Sequence, residues 1–122
     1  MLPEEPIDEA VLDQLESLRP NDPNFVSKII RLYLDTMPSM LKELETAALA
    51  DDVNWLRLAN HSLYSASAAV GAVRVSARCN ELDRMLRTGP VAGAVDWAKI
   101  IIEEYHRAEA ALRSCLACRE PR

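Results

Sequence analysis

A chain of 122 residues can bury one hydrophobic core and is one domain's worth. With aromatic residues at 5% and only 3 glycines, beside abundant Ala, Leu, Glu and Arg, the composition favours helices over a sheet of β-branched and aromatic strands. The formal charge of −5, with no run of Lys or Arg, excludes a nucleic-acid surface, which needs a concentrated basic face.

Residues 1–6 carry two Pro and two Glu and read as a flexible leader with little to bury. From Ile7 the spacing of Ile7, Val11, Leu15 and Leu18 predicts a short first helix, with Asp8 as N-cap. Pro20 and Pro23 break the pattern, and Asp22 followed by Pro23 suits the start of a second helix. That helix is expected over 23–49, with Phe25, Ile29, Leu32, Leu41, Leu44 and Ala48 facing inward and a kink ahead of Pro38. Asp51 or Asp52 caps a third helix that runs to Gly71, a residue able to end it in the left-handed region. A fourth helix, about 72–88, buries Val75, Cys79, Leu82 and Leu86 before Gly89 and Pro90 stop it. A fifth, from 91 or 94 to about 117, carries Ala94, Ala98, Ile101, Tyr105, Ala108, Leu112 and Cys115 at alternating spacings of three and four.

Short connections between long amphipathic helices make neighbours antiparallel. The expected fold is therefore all-α: an antiparallel up-down-up-down four-helix bundle with a short extra N-terminal helix. The bundle is placed at 7–118 and a frayed tail at 119–122. No apolar run of about 18 residues or charged-then-apolar leader occurs, so neither membrane insertion nor secretion is expected, and the cytoplasm is the assigned compartment. Three cysteines without a secretory signal favour reduced thiols, with Cys79 and Cys115 as small core residues. Cys115 and Cys118 have a CxxC spacing, but inside a helical stripe this is weak evidence even with His106 nearby in sequence, and no metal site is expected.

The third helix holds the candidate chemistry. At 100° per residue, Leu56, Ala59, Leu63, Ala66 and Val70 lie on one side, and Arg57, Leu58, His61, Tyr64, Ser65 and Ala68 on the other. His61 is thus turned away from the core, on a rigid element and beside small residues that leave its ring accessible. An unperturbed imidazole is largely neutral and nucleophilic near neutral pH.

The residues His61, Leu63, Ser67, Ala68, Val70, Gly71 and Ala72 resemble the signature of histidine-containing phosphotransfer (HPt) domains. In that family a phosphorylated His is followed by x-Leu-Lys-Gly-Ser-Ser/Ala and, ten residues on, by Gly-Ala. The resemblance extends to Tyr-Leu-Asp-Thr-Met-Pro-x-x-Leu at 33–41 and to Cys-x-x-Leu-Asp-x-x-x-Arg-x-Gly at 79–89. Tyr64, Ser65 and Ala66 stand where the family has Lys, Gly and commonly Ser.

The resemblance implies a phosphoryl carrier without catalytic turnover, in a multistep two-component phosphorelay. His61 would accept the group from the Asp of one response-regulator receiver domain and pass it to another. A hybrid sensor histidine kinase is an implied partner, and the carrier is expected to act as a monomer. It needs no cofactor of its own, because Mg²⁺ would come from the receiver. Arg57, Tyr64 and Ser65 would form the phosphate environment. Leu58 and Ala68, joined by Met37 and Met40 from the second helix, would form the docking surface. The alternative is an HPt-like docking module in which Tyr64, Ser65 and Ala66 have cost the phosphotransfer itself.

Overall fold

In the computed structural model, which describes residues 2–119, capping chemistry decides where the helices begin. The Asp8 carboxylate accepts from the Ala10 amide at 3.0 Å and opens α1 (Glu9–Leu18). After the break at Pro20–Pro23, α2 (Phe25–Leu49) starts behind Asn24, two residues later than expected. Asp52 accepts from the Trp55 amide at 3.0 Å and opens α3 (Val53–Ala69). Two further helices follow, α4 (Val73–Leu86) and α5 (Ala94–Arg119). No strand occurs among the described residues, and no described helix is long and apolar enough to cross a membrane.

The helices pack around a square: α3 lies against α2 and α4, α5 against α4 and α2, and α1 leans on α2. The stripes expected on α4 and α5 are all buried. On α2 the inward face differs from the expected one in its first half. Val26, Ile30, Tyr33 and Met37 are buried, while Leu32 is 64% exposed and Phe25 and Ile29 are only partly covered. Leu32 and Leu41 are nine residues apart and so lie about 180° from one another on a helix, and could not share a face. Ile30, Met37, Leu41 and Leu44 can, and α2 runs through Pro38 as one helix. In and just before α1 the expected residues Ile7, Val11 and Leu15 are partly buried, Leu12 is the fully buried one, and Leu18 is exposed.

Both ends of the described segment are tied to the bundle. Arg74 Nη1 donates to the Pro3 carbonyl at 2.5 Å, so the leader is held at that point. Arg119 is still helical and reaches Asp13 and Glu16 of α1, each at 3.4 Å. Residues 120–122 of the expected tail lie outside the described residues.

Gly71 ends α3 and also seats the N-terminal segment. Its φ of 76° is one that residues with a Cβ rarely adopt, its carbonyl accepts from the Asp8 amide at 2.8 Å, and a Cβ there would lie 2.6 Å from the Asp8 carbonyl oxygen. The close approach requires glycine independently of the turn.

Glu104 on α5 is buried, and three arginines converge on it. Arg74 makes a forked contact at 2.7–3.1 Å, Arg78 Nε donates at 3.1 Å and Arg107 Nη1 at 3.3 Å. Burial alone would raise this carboxyl's pKa, but the hydrogen bonds from Arg74 and Arg78 more than offset that and hold it below its ordinary value. A depressed folded-state pKa contributes stability that is complete above the unfolded value and is lost as pH falls through the folded one. Denaturant titrations from pH 7 downward should therefore show wild type losing stability below about pH 4.5 more steeply than Glu104→Gln. Parallel pH profiles for the two proteins would mean that the network is energetically silent.

Candidate functional site

Around His61 the sequence of α3 alternates between what the core needs and what faces water. Leu56, Ala59 and Leu63 are buried, and Leu63 has no exposed surface at all. Arg57, Leu58, His61, Tyr64, Ser65 and Ala68 are all exposed, in agreement with the helical spacing. Leu58 is 71% exposed and Tyr64 39%.

Two buried polar residues of α3 fasten this helix in place. Asn60, adjacent to His61, donates from Nδ2 to the Cys79 carbonyl of α4 at 2.8 Å. Ser67 shares a hydrogen bond of 2.8 Å with the Tyr33 hydroxyl of α2. Burial pushes the Tyr33 phenol well above its ordinary pKa, despite an opposing effect of the Ser67 bond, so it stays neutral. The backbone carrying His61 is thus pinned from both neighbouring helices.

The imidazole lies between two shallow hollows in the surface. One is lined by Asn54, Arg57, Leu58, His61 and Asp83. The other is lined by Asn60, His61, Tyr64, Asn80, Asp83 and Arg87. Of the expected phosphate environment, Arg57 and Tyr64 meet His61 here; Ser65 and Ala68 are exposed on the same helix but line neither hollow.

Met37 does not belong to a surface. It has no exposed area, because it is in phase with Ile30, Leu41 and Leu44 on the inner face of α2, and it is removed from the docking surface. Met40 is partly buried against the core.

Half of the second hollow's lining comes from α4 and its C-cap: Asn80, Asp83 and Arg87, of which Asp83 and Arg87 stand in the Cys-x-x-Leu-Asp-x-x-x-Arg-x-Gly run at 79–89. The available signal was the i,i+4 pairing of Asp83 with Arg87, which form an ion pair at 2.9 Å. That these residues meet His61 follows only from the packing of α4 on α3.

Cys79 and Cys115 are buried and offer no competing chemistry. Burial pushes the Cys79 thiol up to about 12 and the Cys115 thiol up to about 11, the latter also donating to Glu9 Oε1 at 3.1 Å. Among the described residues no group of three or more His, Cys, Asp or Glu is arranged to hold a metal, so His106, Cys115 and Cys118 are not gathered into a site.

The family model for the Hpt domain matches residues 28–114. The fold is similar to that of histidine-containing phosphotransfer protein B from Pseudomonas aeruginosa PAO1, with a TM-score of 0.83 and 21% identity over 94% of this chain and 97% of that one. It is also similar to a rice protein described as a histidine-containing phosphotransfer protein, with a TM-score of 0.80 and 21% identity over 93% and 81% of the two chains. The HPT domain of a sensor hybrid histidine kinase from Shewanella gives a TM-score of 0.68 at 21% identity, over 90% of this chain and 97% of that domain. A search of curated proteins returned no match.

Proposed function

The chain belongs to the Hpt domain family, and on that premise we propose that His61 is its phosphorylated residue, carrying a phosphoryl group between receiver domains in a multistep phosphorelay. The observation that carries this reading is the exposed imidazole in the middle of a helix pinned on both sides, flanked by two hollows open to a partner.

The unprotonated ring nitrogen attacks the phosphorus of a receiver's aspartyl phosphate. The N–P bond forms as the P–O bond breaks, and the carboxylate leaves with the electron pair. The proton already on the other ring nitrogen stays there or passes to solvent. Transfer to a second receiver is the reverse reaction, so the carrier ends as it began. Phosphoryl transfer depends on positioning and charge compensation. The Mg²⁺ and acidic pocket belong to the receiver, in the cytoplasm, and a hybrid sensor kinase is a source of the group.

The test is incubation with phosphorylated receivers. An acid-labile, alkali-stable label on the wild-type chain is expected. Tyr64, where the family has Lys, favours a second reading, a docking module without transfer. Receivers that bind the chain but leave it unlabelled would select that reading.

Docking should depend on Leu58, the large apolar side chain that stands most exposed beside His61. Leu58→Glu should weaken receiver binding by about 1 kcal/mol or more, as for loss of a central contact, with the melting temperature unchanged. Undiminished affinity in a titration would remove Leu58 from the interface.

A further inference from the structure

The C-terminal end of α5 carries two thiols on one face. Cys115 and Cys118 stand three residues apart, so their side chains project from the same side of the helix, with Cα atoms about 5 Å apart by helical geometry. A disulfide joins Cα atoms about 4.4–6.8 Å apart, so this pair is within reach of one with the backbone where it is. Cys118 is the penultimate residue of α5, in the last turn, where the carbonyls have no intrahelical partners. That end of the helix can adjust to the sulfur torsion without breaking the ladder behind it.

Both thiols line a hollow of about 750 Å³ between the N-terminal segment and α5, together with Glu5, Glu9, Ser114 and Arg119. It shares no residue with the hollows beside His61, and α5 stands diagonally across the bundle from α3. The two thiols are unlike. Cys118 is exposed, whereas Cys115 is buried and donates from Sγ to Glu9 Oε1 at 3.1 Å. Burial and that bond keep Cys115 protonated, its pKa pushed up to about 11, so it does not react alone. The hollow carries both signs of charge, Glu5 and Glu9 against Arg119, which suits a small peptide disulfide with ammonium and carboxylate ends.

We propose that Cys118 and Cys115 form a thiol–disulfide exchange site that takes a small peptide disulfide as its substrate and closes to an intrahelical disulfide. The Cys118 thiolate attacks one sulfur of the substrate, whose S–S bond breaks, and one substrate thiolate leaves with the electron pair. Cys115 then attacks the Cys118 sulfur of the mixed disulfide while its proton passes to Glu9, and the second substrate thiolate leaves. Two protein thiols are oxidised, one substrate disulfide is reduced, and the two protons of the protein thiols end on the released thiols. Closure removes the Sγ–H that Glu9 accepts, so α5 gives up one of its contacts with α1.

The test uses glutathione disulfide on the folded protein. The reaction is quenched in acid, and the chain is unfolded, alkylated with N-ethylmaleimide and cut with trypsin after Arg113 and Arg119, which isolates residues 114–119 with these two thiols and no other. Wild type should give this peptide two hydrogens lighter, without maleimide or glutathione. Cys115→Ser, in which the hydroxyl still donates to Glu9, should stop at the mixed disulfide and carry one glutathione on Cys118. Cys118→Ser should carry maleimide on Cys115 and no glutathione. Glu9→Gln still accepts a hydrogen bond but takes up no proton, and should close the disulfide about tenfold more slowly. Wild type left with both thiols free overturns the proposal. So does wild type that retains glutathione as Cys115→Ser does, which would make Cys118 a modified thiol without a partner. Equal closure rates in wild type and Glu9→Gln overturn the part given to Glu9. None of these readouts depends on phosphorylation of His61.

Discussion

His61→Gln should take no label from a phosphorylated receiver, a complete loss, while its helical content and melting stay close to wild type. The side chain is exposed, and substitutions at such positions usually change stability by about 0.5 kcal/mol or less. Glutamine keeps a polar side chain on the helix but offers no nitrogen nucleophile, so the variant separates chemistry from folding. Circular dichroism and a phosphotransfer assay on the same sample make the measurement. Residual label on the variant would mean that the phosphoryl group sits elsewhere, and a strongly lowered melting point would mean that His61 supports the core.

Leu63→Ala should do the reverse. Leu63 has no exposed surface, sits on the face of α3 opposite His61, and belongs to the same buried core as Tyr33, Leu56 and Val75. Truncating a fully buried Leu removes its transfer free energy and leaves a cavity, at a cost of about 2–5 kcal/mol. A domain of this size has only about 5–15 kcal/mol in total. The variant should unfold at clearly lower denaturant concentration yet accept phosphate normally wherever it remains folded. Near-wild-type stability would show that the neighbouring side chains close the space. A loss of labelling in the fully folded variant would show that core packing beneath α3 sets the position of the imidazole.

The Hpt family membership adds a constraint to both expectations. Under the proposed function His61 must be open to two receivers in turn, which places the chemistry on one face of a helix and the stability on the other. The buried polar residues Asn60 and Ser67 serve the second requirement. They fix α3 against α4 and α2 without covering His61.

Local periodicity was enough to determine the two faces of α3, the stripes of α4 and α5, and the exposure of His61, because each depends only on residues a few positions apart on one helix. Capping residues likewise located the starts of α1 and α3. The long α2 resisted that reading, since apolar residues on both sides of its first half allow two phases. Which phase is buried, and hence the loss of Met37 to the core, was decided by the helices packed against it. Only tertiary structure could bring Asn80, Asp83 and Arg87 beside His61, gather Arg74, Arg78 and Arg107 around Glu104, or seat Asp8 on Gly71. Each of these joins residues on different helices or segments, and the spacing of side chains along one helix carries no information about which residue of another it will meet.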